Sequence, residues 1–330
     1  MIMQRTGIHS FLMSLLACVV AVLPLQVRAQ VDAQYTQYWA VPGYYNPSAI
    51  GNSDYIRVTA GSRAQWVGIH HAPLSFVGLA DMPFKFLEKR WATGVAVQQH
   101  SMGLYSGLNV GAQLAYKMKL FKGVMSFGIQ AGLVNETFKG SRIVLPEGDD
   151  AHEGNDDAIP KTDVTGNAFD VSAGVFFQHK WFWAGLSATH LTQPSVELKT
   201  EGNEEDIYEF KQGRVYYFMA GSNIPVKNTL FELQPSVLAK TDTRFFQGEA
   251  TLRVRYNKFL SGGLGYRYKD AVSIMIGAEF KNFYLGYSYD YATSAISKAS
   301  SGSHEVFLNY NVKLNLGDKN KNKHKSIRLM

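Results

Sequence analysis

A chain of 330 residues that is 46% hydrophobic and 13% aromatic can build one large domain or two ordinary ones. A formal charge of +6 over that length is no signature of nucleic-acid binding. Mean hydropathy is nonetheless close to neutral, and no apolar run of ~20 residues follows Gln30, which excludes helical membrane spans from that part of the chain.

Residues 1–29 read as a signal peptide. Arg5 supplies the charged start, Phe11–Leu25 the apolar stretch, and Val27-Arg28-Ala29 a small-x-small site that puts cleavage between Ala29 and Gln30. A lipoprotein reading would make Cys18 the lipidated N-terminus, but it leaves the apolar run Val19–Leu23 where such proteins carry a polar linker. Cleavage at Ala29 removes the single cysteine, so disulfides and cysteine-metal sites are excluded. It also removes Arg5 and Arg28, lowering the formal charge by two.

From Tyr55 onward the sequence alternates with period two, which gathers apolar side chains on one face of a strand. The first seven predicted strands are Tyr55–Gln65, Leu74–Met82, Trp91–Gln99, Leu104–Lys117, Val124–Val134, Asn167–Gln178 and Trp181–His190. The next seven are Arg214–Asn223, Leu230–Lys240, Phe245–Tyr256, Leu260–Tyr268, Val272–Phe280, Phe283–Tyr291 and Ser303–Leu314. In the fourth, Leu108, Val110, Ala112 and Leu114 interleave with Asn109, Gly111, Gln113 and Ala115. A soluble sandwich alternates too, but its strands average ~5–6 residues. Most runs here reach the ~9–11 residues that cross a bilayer at a tilt. The opposite face holds Gly, Ser, Gln and Asn, as a wet lumen does. Trp91, Trp181, Trp183, Phe259, Phe280, Tyr289 and Tyr291 sit near segment ends, where interfacial girdles form. The fold class is all-β: an antiparallel transmembrane β-barrel of about 14 strands over residues 54–316.

The connections agree with an even count. Numbered from the first strand, the longest (Asn135–Gly166, Leu191–Gly213 and Ala292–Gly302) fall at odd positions, and those at even positions are short. Long loops on one rim and short turns on the other is the outer-membrane arrangement, with the long side outside the cell and both termini in the periplasm. Residues 30–53 are then a periplasmic segment entering the barrel, and 317–330 a basic periplasmic tail. Glu147, Asp149, Asp150, Glu153, Asp156 and Asp157 make one outer loop acidic, and Glu201, Glu204, Glu205, Asp206 and Glu209 another. These loops read as solvated surface, with calcium bridging as the sharper alternative. The short turns carry Lys85, Lys89, Arg90, Lys119, Lys122, Lys180, Lys227, Lys258 and Lys281.

No catalytic, cofactor-binding or metal residue is assigned, and the chain does not read as an enzyme. His152-Glu153 lacks the second histidine of the zinc helix motif, and there is no Gly-x-Ser-x-Gly elbow. His70-His71 falls at a predicted hairpin tip, and neighbouring histidines on a strand point to opposite faces. The glycine cluster Ser261–Gly265 lies in a strand pattern with no helix after it, unlike a phosphate loop.

Four short motifs lie in order along the chain. Gln34–Tyr38 and Tyr45-Asn46-Pro47-Ser48-Ala49-Ile50-Gly51 precede the barrel, Arg63-Ala64-Gln65-Trp66 ends the first strand, and Ser301–Glu305, with Ser303 and His304, opens the last. Together they resemble the PorP/SprF family of Bacteroidota outer-membrane proteins, with Ser48 where that family usually has Ala. The resemblance runs from Gln30 to about Leu316. It implies an outer-membrane barrel of the type IX secretion system that supports export or surface attachment of cargo proteins, some members being tied to gliding motility. The implied partners are other secretion components and a secreted cargo or adhesin, besides outer-membrane lipid and lipopolysaccharide. The motif residues also have a plain physical reading. Asn46-Pro47 sets an extended-to-turn geometry, Arg63 faces the lumen if Ile56, Val58 and Ala60 face lipid, and Trp66 suits an interface or an inward contact. The alternative function is a general diffusion porin with an open lumen. An outer-membrane enzyme is disfavoured because no nucleophile, base and orienting group converge by spacing.

Overall fold

The computed structural model describes residues 32–143, 160, 162–200 and 203–314. The wall begins with β1 (Tyr55–Ala64), β2 (Leu74–Phe86), β3 (Lys89–Met102), β4 (Tyr105–Leu120), β5 (Gly123–Lys139), β6 (Asp163–Gln178) and β7 (Phe182–Thr189), each antiparallel to the one before. Two further strands, β8 (Ser195–Thr200) and β9 (Asn203–Lys211), form a hairpin that touches the end of β6. The wall resumes with β10 (Val215–Ser222), paired to β7, and β11 (Ile224–Pro225), which continues it past Asn223. It is completed by β12 (Phe231–Thr241), β13 (Phe246–Tyr256), β14 (Leu260–Arg267), β15 (Ala271–Phe280), β16 (Phe283–Ala292) and β17 (Ser303–Lys313). Because β17 pairs over its whole length with β1, the sheet closes. With β8–β9 set apart and β10–β11 counted as one, the barrel has fourteen strands, and the all-β reading holds.

Alternation decides which face each side chain takes. On β15, Val272, Ile274 and Ile276 are exposed while Ser273 and Met275 are buried. On β5, Phe127, Ile129 and Leu133 point out and Ser126 and Gly128 point in. An apolar surface running round the whole wall far exceeds what a monomer shows to water, and it is the face a bilayer covers. Closure also leaves no unpaired edge, as hydrocarbon surroundings require. Among the described residues, no helix is long and apolar enough to cross a membrane.

Four expectations need correction. The fifth strand runs on from Val134 to Lys139, because Asn135 and Thr137 bond to Asn167 and Thr165 across β6. That stretch has lost its apolar face, so apolar periodicity could not mark it. The Leu191–Gly213 connection contains β8–β9, whose Val196 and Leu198 pack on Val134 and Val164 in a small core of their own. Trp183, expected in a girdle, shares the parity of Gly185 and Ser187 and packs inward on Phe176. His70 and His71 lie at the expected hairpin tip, but their rings sit side by side at 4.1 Å instead of on opposite faces. No third ligand joins them: among the described residues, no group of three or more metal-ligating side chains occurs. The Ala29–Gln30 cleavage site, acidic residues 147–157 and the basic tail lie outside the described residues.

Candidate functional site: a lumen filled by the N-terminal segment

Every residue from Asp32 to Gly51 is buried or half-buried. This stretch, expected as a periplasmic segment leading into the barrel, lies inside it. Three short helical turns, Tyr38–Ala40, Pro42–Tyr45 and Pro47–Ala49, fold it compactly, and Pro42 and Pro47 each occupy a first helical position, where a missing N–H costs nothing. Asp32 starts beside His190, Tyr217 and Lys240, near the ends of β7, β10 and β12 that carry the longer loops. The segment leaves by Asn52 at the short-turn rim, where the Leu314 N–H donates to Asp54 O (3.2 Å). The two described chain ends therefore sit at different levels of the barrel rather than together.

A charged cluster clamps the segment around Thr36. The Arg63 guanidinium donates to Thr36 Oγ1 (3.0 Å), to Glu305 Oε2 (3.2 Å) and to Asp290 Oδ2 (2.7 Å). Arg267 donates to Thr36 Oγ1 (2.9 Å), Glu249 Oε2 (2.9 Å) and Asp290 Oδ2 (3.3 Å). Two buried cations thus face three buried carboxylates. Glu305 and Glu249 also take donors from the segment itself: the Thr36 and Gln37 N–H groups both donate to Glu305 at 2.8 Å, and Gln34 Nε2 donates to Glu249 at 2.7 Å. Without the segment Glu305 Oε2 and Glu249 Oε2 would keep only their arginine donors.

Further along, Trp39 lies under the Arg253 guanidinium at 3.2 Å, a cation–π contact, and Tyr38 donates to Ser236. Tyr45 accepts from the Tyr35 N–H through its hydroxyl and from Ser187 through its carbonyl. Asn46 is the hinge of the turn: its amide donates to Val175 O (3.0 Å) and Leu186 O (3.2 Å), and its Oδ1 accepts from the Ser48 N–H (2.9 Å). Gly51 has φ +58 and donates to Asp81 Oδ1, and a Cβ there would lie 2.3 Å from Ala92 Cβ. Both facts require glycine.

The wall is shaped to receive this chain. A Cβ on Gly128 would lie 2.3 Å from Ser48 N, and one on Gly174 would lie 2.2 Å from Asn46 Oδ1. Gly128→Val is expected to destabilise the barrel by about 1–3 kcal/mol, because backbone rather than a flexible side chain must yield. A shift of the unfolding midpoint in detergent checks this, and Gly213→Val, with open space around it and no left-handed backbone, is the neutral comparison for packing.

The other motif residues have structural places. Arg63 faces the lumen as its parity required, while Gln65 donates its N–H to Pro73 O just past β1. Trp66 adopts φ 53 in the following turn, with its N–H bonded to Ser303 Oγ (3.0 Å). His304 lies on the outer face, bonded to Tyr287 OH. Glu305, next to it, carries the contact that matters to the segment. Sequence reasoning missed Glu249, Arg267, Asp290 and Glu305 as members of the cluster that Arg63 joins. The available signal was charge at inward parity on four different strands.

The upper anchor is sensitive to pH. His190 Nδ1 lies 2.9 Å from Asp170, and its Nε2 lies 3.3 Å from Asp32. Burial alone would lower the imidazole, but the Asp32 and Asp170 charges and hydrogen bonds outweigh it and hold the imidazolium to about 10. Burial pushes Asp32 up, and the His190 contacts outweigh that and hold it below the usual carboxylate range. A raised folded value means the His190 contribution is full below its ordinary value of 6.5 and is lost as pH rises through about 10. The stability gap between the native chain and His190→Gln is therefore expected to be widest near pH 6 and to close above pH 10, as read from unfolding midpoints across that range.

A closed, fourteen-stranded barrel with an apolar outer wall, its lumen filled by its own leading segment, is an outer-membrane barrel of the plugged kind. Its sequence matches the family model for the type IX secretion system membrane protein PorP/SprF over residues 27–310, and the chain belongs to that family. No curated protein matches the sequence. Solved barrels match its outline. The Pseudomonas putida toluene transporter TodX is 8% identical at a TM-score of 0.48, covering 86% of this chain and 95% of its own. Escherichia coli outer-membrane phospholipase A, as an active-site mutant, is 10% identical at 0.32, covering 81% and 93%.

Proposed function

We propose that this chain is an outer-membrane barrel of the type IX secretion system that supports export or surface attachment of cargo proteins, gliding-motility adhesins among them. Family membership supports the system, and the filled lumen is the observation that favours a scaffold or docking role over free diffusion. In this reading the signal peptide is cleaved at Ala29, the longer loops face outside, and the short turns face the periplasm, as is usual for such barrels. Lipid and lipopolysaccharide surround the wall, and the partners are other secretion components and a secreted cargo. The role is not enzymatic. The test is deletion of the gene with plasmid complementation, followed by proteomics of the cell surface. Loss of one or more surface proteins, restored by the native chain, is expected. An unchanged surface proteome would refute the reading.

A further inference from the structure

The short-turn mouth of the barrel holds a cavity of about 490 Å³ whose floor is the end of the internal segment, Gly51 and Asn52. Its lining is basic to an unusual degree. Lys85, Arg90, Lys117, Lys119, Lys122 and Lys180 all line it, against the single carboxylate of Asp54. Three of these cations lie in one row, since Lys85 pairs with Arg90 across β2–β3 and Arg90 with Lys117 across β3–β4. Like charges directly opposite one another cost stability. Such a row is relieved when something negative comes to it.

Parity decides where these charges act. Lys85 lies in step with buried Leu79 and Asp81, Arg90 with buried Ala92, and Lys117 and Lys119 with buried Gln113 and Ala115. They face the lumen and not the lipid side of the wall, so a lipid headgroup beside the barrel is not their natural partner. Lys117 is fixed by donating to Asn52 Oδ1 (2.6 Å) and Ser126 Oγ (3.1 Å), both neutral acceptors. Among the described residues, Arg90, Lys119, Lys122 and Lys180 form no ion pair. Low-dielectric walls around a one-signed cavity focus its field and raise the local concentration of opposite charge.

We propose that this mouth is a docking site for an acidic, extended peptide segment of a periplasmic protein. Five of the six cations are lysines, point charges spread over strands and turns. That pattern suits a string of separate carboxylates better than one phosphate, which a convergent arginine fork would grip. Pro83, Val124 and the strongly exposed Phe121 supply apolar ground between the charges, as a peptide with mixed side chains needs. The volume lies within the ~300–1,000 Å³ of ordinary ligand sites, enough for a few residues of chain. The proposal deepens the secretion reading only by assuming that this mouth opens to the periplasm; the cavity itself is tested independently of it.

The experiment uses the purified full-length chain in nonionic detergent and a fluorescein-labelled peptide of alternating Glu and Leu, followed by anisotropy. Saturable binding that weakens steeply with salt is expected, and it should fall at least tenfold in the Lys119→Gln/Lys122→Gln/Lys180→Gln variant. All three side chains are exposed, so the variant is expected to keep its unfolding midpoint. The lysines of the C-terminal tail are unchanged in it, so the loss assigns binding to the cavity. Equal binding by variant and native chain, or none by either, overturns the proposal. Displacement of the peptide by inorganic phosphate or by anionic phospholipid micelles at equal total charge overturns it in favour of a general anion site. A deletion strain with an altered surface proteome but a purified chain that binds no peptide would refute this inference and leave the secretion role standing.

Discussion

Deleting residues 32–51 is expected to turn a barrel that conducts poorly into one with a large, persistent conductance in planar bilayers, a rise of at least ~10-fold for a wall of this strand number. The internal segment makes few contacts that the wall needs for its own closure: every strand-to-strand ladder from β1 round to β17 is complete without it. What the segment supplies is occupancy. It fills the lumen with aromatic and polar side chains, and glycines such as Gly128 and Gly174 leave no side chain to fill the space in its place. Once it is gone, the Arg63, Arg267, Asp290 and Glu305 groups become solvated, and water continuous between the two mouths follows. Retained folding is checked by the mobility shift between heated and unheated samples. If conductance stays at the native level in a folded deletion variant, the segment is not the barrier.

The second large effect is expected at Arg63. Arg63→Ala leaves Asp290 and Glu305 short of a buried partner, and the loss should be about 3–5 kcal/mol, the range for breaking one side of a buried ion pair. Arg63→Lys is expected to recover little, because an ammonium cannot serve Thr36, Asp290 and Glu305 together with the planar fork that does so now. Arg267→Ala should cost a similar amount, and the double variant less than the sum, since both guanidiniums share Thr36 and Asp290. Denaturant unfolding in detergent gives these values. Additive losses would mean two independent ion pairs and not one cluster. Arg57, whose bridge to Asp81 is partly open to solvent, should matter less.

The wall was legible because lipid and lumen impose opposite demands on successive residues. Each of the fourteen predicted strands meets one wall strand, and the inward turn of Arg63 followed from parity alone. Where one demand lapsed, the reading lapsed with it. Asn135–Lys139 is a strand without an apolar face, and Val196 and Leu198 alternate over too short a run to stand out. The lumen's contents were harder. Gln34, Thr36, Gln37, Asn46 and Ser48 look like a solvated leader, and nothing local says that their partners are charges on β1, β13, β14, β16 and β17 or carbonyls of β6 and β7. The burial of a polar segment depends on groups hundreds of residues away in sequence, which periodicity does not encode. Trp183 shows the same limit in small: an aromatic at a strand end reads as a girdle residue until its parity is known.

The most direct test of the whole account is co-purification of the tagged, full-length chain from cross-linked, detergent-solubilised membranes of the native cell, with the partners identified by mass spectrometry. Recovery of other type IX secretion components together with a surface-exposed cargo protein is expected, with no enrichment of either by a control barrel. Recovery of the chain without any secretion component or surface protein, in preparations where a known secretion complex survives, would contradict it.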